Sequence, residues 1–413
     1  MLTDLADADH ATSGGKAAPL ARLLRSGLPV PPGFVVPTHA YEEAVAGLDL
    51  TAATRHGADA ARLLFDRATL SPALVDEISH ALTRITGPSG DGYVAVRSSA
   101  TSEDGAGAAA AGQHDTFLGV RGPDQVADAV RGCWASLWSE RAVAYRRRQA
   151  ADVRADPPAT AVLVQRLVDA DVAGVLFTGT TIRVEASWGL GERVVSGQVT
   201  PDSWVVSGDA VTRRTIGVKD TRMDRVRTQV VIREVPPADR DRPCLADDVV
   251  LHLARLGREI EDLLGGAQDV EWAIADGRIW ILQARPVTAA LPTARAAPSG
   301  PASDGTLLTG TPGSPGIAAG PARVVRGPSG FAEVRPGDVL VCRTTDPAWT
   351  PLFGVVAAVV TETGGLLSHA AIVARELGLP AVLAVPDAMT ALPDGATVEV
   401  DGNTGRIVLT RGR

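Results

Sequence analysis

A break in composition divides this chain of 413 residues into two parts. Residues 287–308 are mostly Ala, Pro, Ser, Gly and Thr without hydrophobic periodicity, which is typical of a linker. The linker separates residues 1–286, enough for a large domain, from residues 309–413, enough for a small one. We therefore expect two domains joined by a flexible segment rather than one continuous core.

The composition and net charge indicate what class of protein this chain belongs to. The chain is 45% hydrophobic and 21% charged, with a net charge of -8 at pH 7 and an isoelectric point of about 5.5. These values are typical of a globular protein and argue against nucleic acid as a partner. No apolar run approaches the ~18 residues that span a bilayer, and the acidic N-terminus lacks the order of a secretory signal. With three scattered cysteines, we expect a cytoplasmic protein without membrane contact or structural zinc.

In residues 1–286, helical and strand patterns both occur, which predicts a mixed α and β fold. Helical spacing predicts a helix from about residue 17, two helices within 40–86, one within 124–150 and one over 247–264. Strand patterns are found at 93–96, 161–168, 174–178, 182–187, 204–206, 211–216, 230–235, 269–274 and 278–283. The last two strands flank Ala-Asp-Gly, a strong hairpin signal.

The most informative stretch of the smaller part surrounds His369. An apolar run over 354–360 predicts a buried strand, which Gly364 and Gly365 interrupt, and Ser368 is a candidate N-cap for a following helix. His369 would lie in the first turn of that helix, where the helix dipole disfavours the imidazolium and keeps a ring nitrogen nucleophilic. A capping or buried structural histidine is the alternative.

Three features of the larger part fit phosphate binding. Lys16 follows two glycines, so backbone amides and an ammonium are adjacent, although the Walker spacing is absent. Arg97, at the end of a predicted strand, could clamp phosphates, and the Gly/Ala-only residues 105–112 predict a mobile loop that could cover them. A surface lysine, a surface arginine and a plain loop are the alternatives. Lys16 and Lys219 are the two lysines among 40 basic residues.

The hairpin over residues 269–285 carries Asp269, Glu271, Gln283 and Arg285 at alternate positions. Residues two apart on a strand share a face, so both pairs can converge across the hairpin. Carboxylate and amide oxygens beside a guanidinium suit Mg²⁺ and a bridged nucleotide. An exposed polar sheet face is the alternative.

Taken in order, these motifs resemble the ATP-grasp domain shared by phosphoenolpyruvate synthase, pyruvate phosphate dikinase and rifampin phosphotransferase. The matching segments are residues 14–16, 97–101, 111–113, 186–192, 269–272 and 282–286. Residues 345–351 and 363–371 resemble the swivelling phosphohistidine domain of the same family. The resemblance implies an α+β/α/β fold: a two-part ATP-grasp nucleotide-binding domain over 1–286, with subdomains of about 1–190 and 191–286, then the linker 287–308 and a small swivelling β/β/α phosphohistidine domain over 309–413.

The resemblance also implies the site, with ATP and Mg²⁺ as cofactors. Nucleotide contacts are expected from Lys16, Arg97, Gly112, Thr116, Gln165, Glu271, Gln283 and Arg285. Glu271 and Gln283 would also hold Mg²⁺. The catalytic set would be Lys16, Arg97, Arg285 and His369, with His369 as the phosphoryl carrier. The role of Lys219 is open.

Three departures from the family bear on function. The barrel of phosphoenolpyruvate synthase and the drug-binding domain of rifampin phosphotransferase have no counterpart in these 413 residues, so we expect the acceptor half to be absent. Residues 177–182 are shorter than the corresponding hairpin of the family, which puts local strand pairing in doubt. The loop before Gly112 lacks a phenylalanine that relatives usually have, so lid closure is expected to be looser.

Three hypotheses follow. In the first, the chain is a dikinase-type phosphotransferase that converts ATP to AMP and phosphate through phosphorylated His369 and passes the phosphoryl group to a small-molecule acceptor. In the second, it is the donor and carrier subunit of a split enzyme whose acceptor domain is a separate protein. In the third, it is a non-catalytic nucleotide-binding regulatory protein. The presence of the whole candidate site argues against the third.

Overall fold

The computed structural model describes residues 1–50, 60–65, 70–87, 92–101, 115–139, 143, 159–288, 291 and 306–410. The loop 105–112 with Gly112 and most of the predicted linker 287–308 lie outside these ranges. The chain divides into two compact units, each assembled from three stretches of sequence. The first unit comprises residues 1–171, 224–231 and 258–286, and the second comprises 172–223, 232–257 and 287–413. The domain boundaries inferred from the linker stay a prediction.

The helices are numbered in chain order over the described residues. They are α1 His10–Arg25, α2 Thr38–Val45, α3 Pro72–Thr86, α4 Gly122–Ser136, α5 Glu192–Val195, α6 Pro237–Arg240, α7 Asp247–Leu264, α8 Thr350–Phe353, α9 His369–Glu376 and α10 Ala388–Ala391. None of these helices is long and apolar enough to cross a bilayer.

The strands are numbered in the same way. Those up to residue 234 are β1 Thr3–Asp4, β2 Gly33–Val36, β3 Val94–Ala100, β4 Thr116–Val120, β5 Thr160–Arg166, β6 Val172–Phe177, β7 Ile182–Trp188, β8 Asp202–Ser207, β9 Ala210–Thr215, β10 Thr221–Val226 and β11 Gln229–Glu234. The remainder are β12 Gln268–Ala275, β13 Arg278–Pro286, β14 Thr306–Thr309, β15 Thr311–Ser314, β16 Ile317–Val324, β17 Val339–Cys342, β18 Ala358–Thr361, β19 Ala381–Leu383, β20 Thr397–Asp401 and β21 Arg406–Leu409.

The first unit contains an antiparallel sheet in the order β1-β2-β5-β3-β4. Val94 and Val96 of β3 join a buried core that includes Trp134 of α4. Because successive side chains of a strand point to opposite faces, Arg97 and Ser99 lie on the face away from this core. That face is therefore available for polar side chains.

The same unit contains the antiparallel hairpin of β12 and β13. Its turn places Asp276 and Gly277 at positive φ angles of 51° and 72°, which a type I′ turn requires. The register pairs Glu271 with Gln283, and a bulge follows directly after Glu271. These two polar side chains therefore lie side by side on one face of the hairpin.

In the second unit, strands β6 to β9 pair antiparallel with their sequence neighbours. Val184 and Trp204 are buried on one face of these strands, and Arg183 and Glu185 lie on the other. Residues 177–182 form the hairpin that is shorter than its counterpart in the family. Strands β6 and β7 nevertheless pair without a register shift, beginning with Phe177 opposite Arg183. The shortening therefore does not disturb strand pairing.

The second unit also contains a sheet of eight described strands, in the order β14-β21-β20-β16-β17-β18-β19-β15. Its centre, β16 to β19, is parallel. Leu340 packs in one core with α8 and α9, while Val339 and Val341 pack in another with Val400. Because both faces are covered, β17 and β18 are apolar at every position or nearly so.

Two strand predictions were wrong by four residues at one end. The strand expected over 354–360 is β18, which begins at Ala358, because Val355 closes the turn after α8 by donating to the Leu352 carbonyl at 3.0 Å. The strand expected to end before Arg97 continues to Ala100, because β5 pairs with it along its whole length. Arg97 therefore lies within a strand, not at its end.

The buried Leu340 and the exposed Leu377 provide a matched test of the core around α9. Leu340 is fully buried, whereas Leu377 is 47% exposed. We expect Leu340→Ala to lower the free energy of unfolding by about 2–5 kcal/mol, since it removes buried methyl groups and leaves a cavity. The change Leu377→Ala should cost about 0.5 kcal/mol or less. Urea unfolding followed by circular dichroism measures both, and equal losses would contradict this packing.

Candidate functional site

The Gly-Gly-Lys segment is held against strand β3 by one buried hydroxyl. Ser99 Oγ accepts the Lys16 N–H at 3.1 Å and the Ala17 N–H at 3.3 Å, and donates to the Ser13 carbonyl at 2.7 Å. Gly14 interrupts helix α1 with a φ of 77°, and a Cβ there would lie 2.0 Å from the Ser99 carbonyl oxygen. Only glycine allows this approach, and Lys16 is thereby placed beside the polar face of β3.

Arg97 links that face to the β12–β13 hairpin within the first unit. Its guanidinium donates to the Leu282 carbonyl at 3.1 Å and forms an ion pair with Glu271 at 3.5 Å. Thr116, at the start of β4, is the register partner of Arg97. The structure therefore brings together Arg97, Thr116 and Glu271, which the sequence assigned to nucleotide binding.

Arg285 and Asp269 form a second registered pair on the hairpin. The Arg285 Nε and a terminal nitrogen lie 2.8 and 2.7 Å from the same Asp269 oxygen, and both side chains are largely buried. A charge-assisted contact of this kind fixes the guanidinium in place. Residues two apart on a strand share a face, so Arg285 lies on the same face as Gln283, and Asp269 on the same face as Glu271. The contact with Asp269 therefore holds Arg285 close to Glu271 and Gln283.

Gln165 lies in the middle of the sheet and is buried. Its side-chain amide donates to the Pro31 carbonyl at 3.0 Å. The side chain therefore ties β5 to the segment before β2. A role beside the adenine, as the family resemblance implies, stays a prediction, as does the role of Gly112, which lies outside the described residues.

The chemistry of Glu271 and Gln283 fits Mg²⁺. They provide one carboxylate and one amide oxygen on a shared face of the hairpin. Within the described ranges, no group of three or more His, Cys, Asp or Glu side chains forms a ready-made metal cage. Mg²⁺ is usually held by one or two protein oxygens together with phosphates and water, so two protein ligands are enough for it.

His369 is the first residue of α9 and is almost fully buried in the second unit. The Thr345 hydroxyl lies 3.2 Å from its Nδ1, and the Phe353 ring packs edge-on with a centroid distance of 6.4 Å. These contacts orient the imidazole. Ser368 occupies the N-cap position as the sequence predicts, but its hydroxyl donates to the Gly365 carbonyl at 2.8 Å rather than capping the helix.

The loop before His369 is anchored by a residue that the sequence did not single out. The buried Glu185 carboxylate accepts the Leu366 N–H at 2.8 Å and the Leu367 N–H at 3.1 Å. A Cβ at Gly365 would lie 2.2 Å from this carboxylate. Burial raises the pKa of Glu185, while the two N–H groups and the nearby Arg183 act in the opposite direction.

Lys219, whose role the sequence left open, is fully buried in an ion pair. Its ammonium donates to Asp202 Oδ1 at 2.6 Å and to the Gly217 carbonyl at 3.2 Å. The Gly217 N–H and the Cys244 N–H also donate to the Asp202 carboxylate, each at 2.8 Å. The local structure therefore gives Lys219 a role in holding the segment after β9.

Sequence reasoning missed Ser99, Thr345 and Glu185. Thr345 and Ser99 lay within motifs that were noticed, but only the fold shows which hydroxyl contacts which partner. Glu185 had a usable signal: it is an acidic residue within the mostly buried strand β7, four residues before Gly189. A buried carboxylate needs hydrogen-bond donors, so its position indicated a contact still to be found.

The geometry defines a class of protein: one unit brings charged and polar side chains together on β3, β4 and the β12–β13 hairpin, and the second carries a histidine at a helix start. A family model described as pyruvate phosphate dikinase, AMP/ATP-binding domain, matches residues 10–301. Another, described as PEP-utilising enzyme, mobile domain, matches residues 334–405. The chain therefore belongs to the family of phosphoenolpyruvate synthase and pyruvate phosphate dikinase, as the motifs predicted.

Relatives agree with this assignment. A probable phosphoenolpyruvate synthase of Methanothermobacter thermautotrophicus is 38% identical over 98% of this chain and 62% of its own length. One from Archaeoglobus fulgidus is 38% identical over 92% of this chain and 54% of its length. The phosphoenolpyruvate synthase of Pyrococcus furiosus is 33% identical over 93% of this chain and 55% of its length. The chain thus spans a little over half of these relatives.

The Ser99 contacts lead to a test of how Lys16 is positioned. We expect Ser99→Ala to weaken ATP binding severalfold and to cost about 1–3 kcal/mol of stability, since it leaves buried backbone groups without their partner. Ser98→Ala is the control, because Ser98 is equally buried but on the opposite face of β3. Titration calorimetry with ATP gives the affinities. If both variants bind ATP alike, Ser99 does not position Lys16.

Glu185 leads to a prediction about pH. Because its pKa is raised in the folded protein, its contribution to stability is complete below the unfolded-state value of about 4.3 and is lost as pH rises through the folded-state value. Stability of the wild type relative to Glu185→Gln should therefore fall above about pH 4.3, by at most about 1.4 kcal/mol per pH unit. Urea unfolding at several pH values up to neutrality measures this. A difference that stays constant or grows with pH would be inconsistent with the buried carboxylate.

Proposed function

We propose that this chain is a dikinase-type phosphotransferase that converts ATP to AMP and phosphate while a ring nitrogen of His369 accepts a phosphoryl group. The observation that carries the proposal is the occurrence in one chain of the family's AMP/ATP-binding domain and its mobile domain, with His369 at the first position of α9 in the latter. Covalent relay through a nucleophile divides one difficult transfer into two easier ones.

The residues of the first unit would bind and orient ATP. Lys16, beside the polar face of β3, and Arg97, close to Glu271, would neutralise the phosphates. Arg285 would offset charge that develops on the transferred group, with Asp269 holding its guanidinium in position. Thr116 neighbours Arg97 across β3 and β4 and would donate to phosphate oxygens.

Glu271 and Gln283 would hold Mg²⁺, and the bound ion would supply charge neutralisation at the phosphates. Their shared face on the hairpin supports this assignment. In the second unit, Thr345 would keep the imidazole of His369 in one orientation through its contact with Nδ1. An imidazole at a helix N-terminus stays neutral more readily, so it retains a nucleophilic lone pair.

The phosphoryl group would then pass from His369 to a small-molecule acceptor. The relatives are named phosphoenolpyruvate synthases, so pyruvate is the first acceptor to test. The name of the matched mobile domain supports movement of the segment that carries His369 between donor and acceptor. An acceptor site on a separate protein is the alternative arrangement of the same chemistry.

The proposal is tested by incubating the protein with Mg²⁺ and ATP. We expect AMP rather than ADP, and an acid-labile phosphoryl adduct in the intact mass. The N–P bond forms as the P–O bond between the α- and β-phosphates breaks, and water cleaves the β,γ bond to release the γ-phosphoryl group as phosphate. His369→Ala should abolish the adduct, whereas His252→Ala, an exposed histidine of α7, should retain it. Production of ADP without an adduct would refute the proposal.

The same assay separates the two arrangements of the acceptor. If pyruvate is added without a second protein and AMP is then produced continuously, the acceptor site is one that this chain reaches alone. A single turnover that stops at the phosphorylated protein favours a separate acceptor. Phosphorylation that persists in His369→Ala would place the carrier elsewhere.

A further inference from the structure

The second unit contains a cavity, partly open to solvent, that none of the proposed steps uses. Its volume is about 250 Å³. One wall is the face of strands β7, β8 and β9 that carries Glu185, and the other consists of residues 310–312, 364–366 and 403–404. The cavity therefore lies next to the loop that precedes His369, within a single compact unit.

The strand wall is ordered by register. Arg183, Val205 and Arg213 are direct neighbours across the three strands. Adjacent strands are about 4.8 Å apart, so the two arginines flank Val205 with Cα atoms about 10 Å apart. Two residues further along, Glu185, Ser203 and Thr215 form the next row on the same face.

The charges of these side chains favour an anion. Of the side chains that line the cavity, the guanidinium groups of Arg183 and Arg213 are positive and the Glu185 carboxylate is negative. Glu185 already accepts two backbone N–H groups, so its charge is partly satisfied without the arginines. Burial lowers the pKa of Arg183, Glu185 opposes that effect, and Arg213 adds to it. The guanidinium charges of Arg183 and Arg213 line the same cavity, so an anion bound between them would reduce their mutual repulsion.

We propose that this cavity is a binding site for a small oxyanion, held between Arg183 and Arg213. Guanidinium groups match the oxygens of phosphate and carboxylate, and the Ser203 and Thr215 hydroxyls can donate to the same group. The volume is below the range of about 300–1,000 Å³ that is typical of sites for drug-sized ligands, which favours phosphate or a small carboxylic acid over a nucleotide.

The bound anion would connect parts of the second unit that are distant in sequence. It would lie between strands β7 to β9 on one side and the loop with Gly364 and Gly365 on the other, because both line the cavity. Ligand binding to the folded state alone stabilises that state. The site would therefore make the stability of the loop before His369 depend on the concentration of the anion, whether or not His369 carries a phosphoryl group.

Titration calorimetry of the full chain tests the site. Sodium phosphate and sodium malonate are compared with sodium chloride at equal ionic strength, with saturating ADP present so that the predicted nucleotide site does not contribute. We expect phosphate or malonate, but not chloride, to bind, and Arg183→Gln and Arg213→Gln each to weaken binding by about tenfold or more, as expected for a lost charged hydrogen bond.

Arg214→Gln is the matched control. It makes the same charge change on β9, but Arg214 points to the other face and pairs with Asp247, so it should bind the anions like the wild type. The Arg213 side chain is exposed, so its replacement should leave the fold intact, which circular dichroism verifies. The proposal fails if neither oxyanion binds the wild type more tightly than chloride, or if Arg183→Gln and Arg213→Gln bind as well as Arg214→Gln. Binding of phosphate alone would identify phosphate as the ligand class, and binding of both would identify oxyanions in general.

Discussion

The Glu185 carboxylate holds the loop before His369 by accepting hydrogen bonds from two consecutive backbone N–H groups, those of Leu366 and Leu367. Removing a carboxylate from water costs several kcal/mol unless donors replace the lost solvent. The loop must therefore present both N–H groups in the same direction. Gly364 adopts a φ of 106°, and Gly365 leaves the space that the carboxylate fills. These requirements set the residue at which α9 begins, and so the position of the imidazole.

The first unit uses the same physical principle at its candidate phosphate site. The Ser99 hydroxyl is buried, and it makes three hydrogen bonds to the backbone of residues 13–17, the segment that contains Lys16. Strand alternation then places Arg97 on the same face as Ser99 and leaves the opposite face for the apolar core. In each unit, a polar group is buried where it holds a glycine-containing loop, and the side chain for which we propose a chemical role follows that loop directly. Such a loop keeps its backbone close to a ligand and still has a defined conformation.

Local signals predicted the elements that depend on local physics. Helix α7 has the predicted bounds because its apolar spacing ends at two glycines, and the β12–β13 turn follows from Asp276 and Gly277. The start of α9 at His369 followed from the glycines before it and the helix-forming residues after it. Local sequence patterns could not predict contacts between residues that are far apart in the sequence. Nothing near residue 185 reveals that its partners lie some 180 residues further on, and the extent of β3 depends on pairing with a distant strand. The family motifs supplied the candidate site as a set, since residues from separate segments have no local signal in common.

The two lysines show why a rare residue type need not mark chemistry. Both were noticed because arginine replaces lysine almost everywhere else in the chain. Lys219 is retained where a compact ammonium fits a fully buried space and donates to Asp202 and to a carbonyl. A planar guanidinium is larger and presents its donors in a fixed fork, so it would not satisfy the same two acceptors. Without the ammonium, the Asp202 charge would stay buried without the opposite charge that Lys219 provides, which is strongly unfavourable. Structural demand therefore explains Lys219. Lys16, which lies beside the polar face that carries Arg97, is the lysine for which we propose a role in binding.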